Sequence, residues 1–192
     1  GLIGYGLGDW NGGGDEKFRF NSRKFVDTAL IIEFADLTVK AAELCGEENG
    51  RAKEIYDLLY GRFFEGFYDR RADRSVINTQ TAVSMMICLK KGGATEGLAA
   101  QLRQAVVDCD YHHECGMVGL QYLVPALDEI GSSDLVYKIM TAKGYPSYSY
   151  WMEDGATTLY EMWNMKKSAN HHMNSSAVAW FMKKLVGLSR EK

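Results

Sequence analysis

Two prolines, Pro125 and Pro146, are all that interrupt a chain of 192 residues. Proline removes a backbone donor and clashes with the turn before it, so its scarcity leaves long segments able to stay helical. Those segments carry apolar residues at helical spacing, and strand-like alternation is scarce. A first helix is expected from about Asn21 to Leu44, with Phe25, Ala29, Ile32, Ala35 and Val39 on its apolar side and Gly46 as the stop. A second runs from near Glu48 to Tyr68. A third, Thr79 to Lys91, is apolar on nearly all sides and halts at Gly92-Gly93. A fourth spans about Thr95 to Asp108, and a fifth about Val118 to Ile130, which Pro125 should kink or split. Short helices follow over 134–143 and 157–163, and a last one over about 174–188. The order is helix, short loop, helix, repeated. Some helices read as apolar on most faces and others as amphipathic, which suggests antiparallel hairpins in two layers. No repeat of fixed length is present, which disfavours a solenoid.

Composition narrows the function classes. Hydrophobic residues make up 46% and charged residues 24%, as in globular domains, and the length suits one domain with a sizeable core. The net charge is −3, spread without long runs of one sign, so the basic footprint of a nucleic-acid partner is missing. No stretch has the apolar run of a membrane span, so no membrane partner is expected. The chain begins at Gly1 rather than Met, which reads as processing or excision from something longer. Its compartment is left open. Cys45, Cys88, Cys109 and Cys115 show no Cys-x-x-Cys pair and read as small buried hydrophobes rather than a disulfide framework.

Candidate chemistry is concentrated in few places. The opening GLIGYGLGDWNGGG lacks the Gly-Lys-Ser/Thr ending of a phosphate loop, and Asp9 stands where a dinucleotide fingerprint needs its last glycine. What remains is a loop that places Asp9 and Trp10, or a plain surface loop. Tyr111-His112-His113-Glu114-Cys115 puts its polar side chains on adjacent residues, which point apart and do not converge on one ion, so no metal is expected. No nucleophile elbow occurs. The strongest lead is GATTLYEMW, residues 155–163, a single acid among aromatics: Tyr145, Tyr148, Tyr150, Trp151, Tyr160 and Trp163 lie around Glu161 with little aliphatic filler. Flat rings pack on sugar C–H groups and polar side chains fix hydroxyls. Glu161 fits a general base there; the plainer alternative is a helix-surface carboxylate.

Several motifs, in order along nearly the whole chain, resemble the bacterial α-L-rhamnosidases of glycoside hydrolase family 78. They are Gly8-Asp9-Trp10, Thr79-Gln80-Thr81-Ala82, Cys115-Gly116-Met117-Val118-Gly119 running on to Tyr122-Leu123-Val124-Pro125-Ala126-Leu127, Tyr145-Pro146-Ser147-Tyr148, Gly155 to Trp163, and Ser168-Ala169-Asn170-His171. The resemblance implies an (α/α)6 barrel of helical hairpins and inverting hydrolysis of terminal α-L-rhamnose. It assigns Glu161 as general base and Trp10 and His171 as sugar contacts, with Asp9 and Trp163 of the same motifs in the substrate-binding set. It implies no cofactor, and a rhamnose-containing oligosaccharide or glycoside as partner. Tyr160 stands where the family has Trp, and the segment 164–167 is short. The family's upstream acid motif, Asp-Glu-Arg-Leu-Gly-Trp, has no counterpart. Inversion needs two carboxylates with room for water between them. Residues 1–192 are therefore expected to be the C-terminal part of a helical-barrel catalytic domain, with a glycine-rich loop over 1–20 and the acid-bearing half supplied by the rest of a parent protein. The rivals are another helical-barrel carbohydrate enzyme, such as an unsaturated glucuronyl hydrolase or a lyase, and a non-catalytic sugar-binding helical module.

Overall fold

Nearly every long apolar run of the sequence becomes a helix in the computed structural model, which describes residues 1–10 and 16–188, with side chains from 23 onward in the second stretch. Helix α1 is Glu16–Cys45 and α2 is Gly50–Phe67. They fold back on one another as a hairpin. The turn between them is set by Gly46 at φ +72°, where Gly46 N–H donates to Glu43 and Glu47 N–H to Ala42, which satisfies the last carbonyls of α1. Phe25 of α1 packs on Phe63 and Phe67 of α2 with ring centroids 4.7 and 5.1 Å apart. A two-residue β-hairpin, β1 (Tyr68–Asp69) against β2 (Arg74–Ser75), then reverses the chain. The sequence pattern gave no sign of it, because strands this short have no periodicity to read.

Helix α3, Gln80–Leu89, is the axis of the fold. It packs on α1, on α4 (Glu96–Asp108) and most extensively on α5 (Met117–Glu129). Every residue from Gln80 to Ile87 is buried, as its all-round apolar sequence demands. Thr79 caps it, accepting a hydrogen bond from Ala82 N–H at 3.1 Å. Helix α6, Ser133–Met140, folds back on α5 across Gly131. Helix α7, Tyr148–Glu153, is capped by Ser147, whose hydroxyl accepts from Tyr150 N–H at 3.0 Å. A 3-10 turn at His172–Asn174, helix α8 (Ser176–Trp180) and a π-helical turn (Phe181–Leu185) are the last elements among the described residues. The architecture is all-α and built of hairpins, as expected.

Three expectations need correction. Pro125 does not split α5. Pro125 and Gln121 are both exposed, so water can satisfy the carbonyl that the proline deprives of a donor. Residues 157–163 are not helical, and the short helix of this region is α7 instead. All four cysteines are free, as expected, but only Cys115 is buried; Cys88 and Cys109 are half-buried, and Cys45, at the end of α1, is exposed. Exposed large apolar residues include Phe34, Leu37 and Leu44 on α1 and Val178, Met182 and Leu185 at the C-terminal turns. Residues 11–15 of the glycine-rich opening lie outside the described residues.

Candidate functional site

The site begins with a buried carboxylate. Asp9 is 6% exposed and accepts hydrogen bonds from Thr81 Oγ1 (2.5 Å), Gly116 N–H (2.8 Å) and Gly119 N–H (2.8 Å). Gly116 caps α5, so Asp9 supplies from a distant loop the acceptor that the helix's first amides lack. Burial pushes the Asp9 carboxyl up, and the hydrogen bonds from Thr81, Gly119 and Gly116 oppose that rise. The close approach explains both glycines. A Cβ at Gly119 would lie 2.0 Å from Thr81 Oγ1, and one at Gly116 would lie 2.3 Å from the Trp10 carbonyl. That carbonyl in turn accepts from Met117 N–H at 2.8 Å. The motifs at 8–10, 79–82 and 115–119 are thus one knot, and its output is a fixed Trp10. Gln80 ties in the loop ahead of α5, exchanging hydrogen bonds with Glu114 and donating to the His112 carbonyl at 2.9 Å.

A second knot fixes Glu161. Its segment is a run of bends and turns whose backbone groups are taken by tertiary partners. Leu159 C=O accepts from His171 N–H (2.7 Å), Tyr160 C=O from Asn174 Nδ2 (2.9 Å) and Trp163 C=O from Trp151 Nε1 (2.9 Å). Glu161 N–H donates to Ser168 C=O at 2.8 Å. Beneath lies an aromatic stack: Trp151 and Trp163 are parallel with centroids 4.1 Å apart, and His113 covers Trp163 at 4.2 Å. Burial drops the His113 imidazole to about 4, so it is neutral at neutral pH. Tyr148 joins the stack edge-on and donates its hydroxyl to Asn174 C=O at 2.6 Å.

The two knots meet at Lys167. Its ammonium is 5.3 Å from the centroid of the Trp10 ring and 4.0 Å from Glu161 Oε1. Glu161 Oε2 accepts from Ser168 N–H at 3.3 Å, and the Glu161 side chain is 18% exposed. Trp10 and Glu161 are therefore neighbours across most of the chain length. His171 hangs from the same ladder as Glu161, and its buried Nδ1 has no hydrogen-bond partner among the described residues. The other two sequence-selected residues sit below. Asp9 spends its oxygens on the α5 knot, and Trp163, 4% exposed, lies between Trp151 and His113. In this structure both hold the wall from behind. Ser168, quoted only as part of a motif, donates its amide to the carboxylate, and Lys167, which stands beside it, was missed because a loop residue without periodicity gives no sequence signal.

The arrangement brings a carboxylate, an ammonium and an aromatic ring together. It does not coincide with the groove of about 580 Å³ that α5 forms with the C-terminal turns, lined by Val124, Pro125, Asp128, His172 and Trp180. That groove contains neither Glu161 nor Trp10. Among the described residues no three His, Cys, Asp or Glu side chains cluster as metal ligands would, and no helix is long and apolar enough to cross a membrane.

Residues 1–185 match the model of the bacterial alpha-L-rhamnosidase six-hairpin glycosidase domain. An alpha-L-rhamnosidase of Formosa agariphila is 30% identical over 88% of this chain and 20% of its own length, and one of Alteromonas sp. is 29% identical over 85% and 20%. The chain thus spans about a fifth of the length of these curated relatives. Among solved structures, an alpha-L-rhamnosidase from Dictyoglumus thermophilum aligns with TM-score 0.76 at 27% identity, over 95% of this chain and 22% of that one. The fold of Streptomyces avermitilis alpha-L-rhamnosidase, solved with L-rhamnose, matches at TM-score 0.87 and 21% identity, over all of this chain and 19% of that one.

Proposed function

This chain belongs to the family of bacterial alpha-L-rhamnosidase six-hairpin glycosidase domains, and from that premise we propose that it is part of the catalytic domain of a longer protein that removes terminal α-L-rhamnose from glycosides with inversion. Glu161 is the general base: it deprotonates the water that attacks the anomeric carbon. The observation that carries this reading is the convergence of Trp10 and Glu161 on the same ammonium, at 5.3 and 4.0 Å, from opposite ends of the chain. A ring packed on Trp10 lies beside the carboxylate, and His171 hangs on the same ladder as Glu161.

Inversion sets what else is required. Water attacks one face of the sugar while the leaving oxygen departs from the other, so the base and the acid stand about 6.5–9.5 Å apart. Glu161 does the first task only. The acid comes from the remaining part of the catalytic domain, which is also the partner for the exposed apolar residues of α1 and the C-terminal turns. The substrate is a rhamnose-containing oligosaccharide or glycoside. The test is a screen of the full-length parent on a panel of nitrophenyl glycosides. Hydrolysis of the α-L-rhamnoside, with the β-sugar as first product by NMR, supports the reading. Hydrolysis of a different glycoside alone, or first release of the α-sugar, overturns it.

A further inference from the structure

Lys167 couples the two knots of the site, and its surroundings do not explain it as a structural residue. Its ion pair with Glu161 is long at 4.0 Å, and its side chain is 53% exposed. Pairs of that kind add little to stability. Its backbone sits at φ +65°, and Met165, two residues earlier, at φ +61°. A left-handed conformation suits glycine and strains a side chain, so a loop that only had to turn would be better served by glycine at 167. An ammonium has three donors. At 4.0 Å it makes no true hydrogen bond to Glu161, and no other described residue accepts one from it. It hangs over the face of Trp10, within cation–π range, and beside the carboxylate.

We propose that Lys167 is a substrate-recognition residue: its ammonium, suspended between Trp10 and Glu161, donates a hydrogen bond to a hydroxyl of the sugar bound in that space. This rests on the rhamnosidase reading above. A sugar lying on the Trp10 face with its anomeric carbon near water held by Glu161 falls within reach of that ammonium. The cation then fixes the ring against the base, and its charge shifts from a loose ion pair to a hydroxyl oxygen with the carboxylate still beside it.

The experiment uses the full-length parent and nitrophenyl α-L-rhamnoside, together with its 2-, 3- and 4-deoxy analogues. Lys167→Met removes the donors. Lys167→Gly also removes them and relieves the left-handed backbone, so its folding is not in question. Lys167→Arg keeps a cation. Hydrogen bonds to charged groups are worth enough that Met and Gly should each lose about 10- to 100-fold in kcat/KM on the rhamnoside, with Arg recovering part of it. On the one deoxy analogue that lacks the partner hydroxyl, wild type and variants should be equal. Variants within two-fold of wild type, or an equal loss on every deoxy analogue, would overturn the role of Lys167 while leaving the rhamnosidase reading intact. A wild type inactive on the rhamnoside is visible before any variant is made; it overturns that reading, and the role of Lys167 with it.

Discussion

Removing the Asp9 carboxylate should unfasten Trp10 and measurably destabilise the domain. Three donors end on this side chain: Thr81 Oγ1 at 2.5 Å and the amides of Gly116 and Gly119 at 2.8 Å each. All are buried. In Asp9→Ala each donor loses a charged acceptor, worth about 1.5–3 kcal/mol per bond. Thr81 can rotate its hydroxyl elsewhere, and the variant no longer buries a carboxylate, a cost that the raised Asp9 pKa registers. The net loss should be about 3–5 kcal/mol, in the range for breaking a buried charged network. Asp9→Asn is the sharper variant. Its carbonyl can take the Gly116 amide and the Thr81 hydroxyl together, which leaves its NH2 facing the Gly119 amide. One orphaned donor costs about 1–3 kcal/mol. Scanning calorimetry and urea titration of the full-length protein measure both, and KM for rhamnoside should rise alongside because Trp10 follows directly. Asp9→Ala costing less than 1 kcal/mol, or Asp9→Asn matching wild type, would refute the idea that this carboxylate caps α5.

Two further outcomes follow from the same packing. Gly119→Ala places a methyl 2.0 Å from Thr81 Oγ1 and 2.6 Å from Asp9 Oδ2, so it should cost about 1–3 kcal/mol by overpacking in urea titration; a neutral result would mean the knot is looser than described. His113 has its pKa lowered to about 4 by burial, below the usual 6.5, so its contribution is fully present above pH 6.5 and is lost as pH falls toward 4. That window is worth about 3 kcal/mol, and His113→Gln should flatten the corresponding slope of stability against pH; an unchanged slope would mean the imidazole is not buried neutral.

The sequence made the scaffold legible because the scaffold rests on patterns longer than a turn. The all-round apolar Gln80–Leu89 announced a buried helix, and Gly46 announced the end of α1. The ordered motifs drew attention to segments that the fold brings together, yet what their side chains do was only partly readable. Asp9 looked like a ligand-facing acid, and only the fold shows that it reaches α5, more than a hundred residues away, as a helix cap. Residues 157–163 looked helical because apolar spacing over seven residues is weak evidence; Thr157-Thr158 and the aromatics have low helix propensity, and partners such as His171 and Asn174 take the carbonyls. Lys167 gave no signal at all. Its place over Trp10 arises from two loops meeting, which no local pattern encodes.

The claim on which the rest depends is that Glu161 activates water. Glu161→Gln in the full-length parent keeps the shape of the side chain and an oxygen for the Ser168 amide, but it removes the base. General-base assistance is worth about 10²–10⁴-fold. The measurement is kcat on nitrophenyl α-L-rhamnoside, with rhamnose binding followed in parallel by calorimetry. A fall in kcat of at least 10²-fold with binding retained is the expected result, and a kcat within a few-fold of wild type would contradict the account and leave Glu161 as a surface carboxylate.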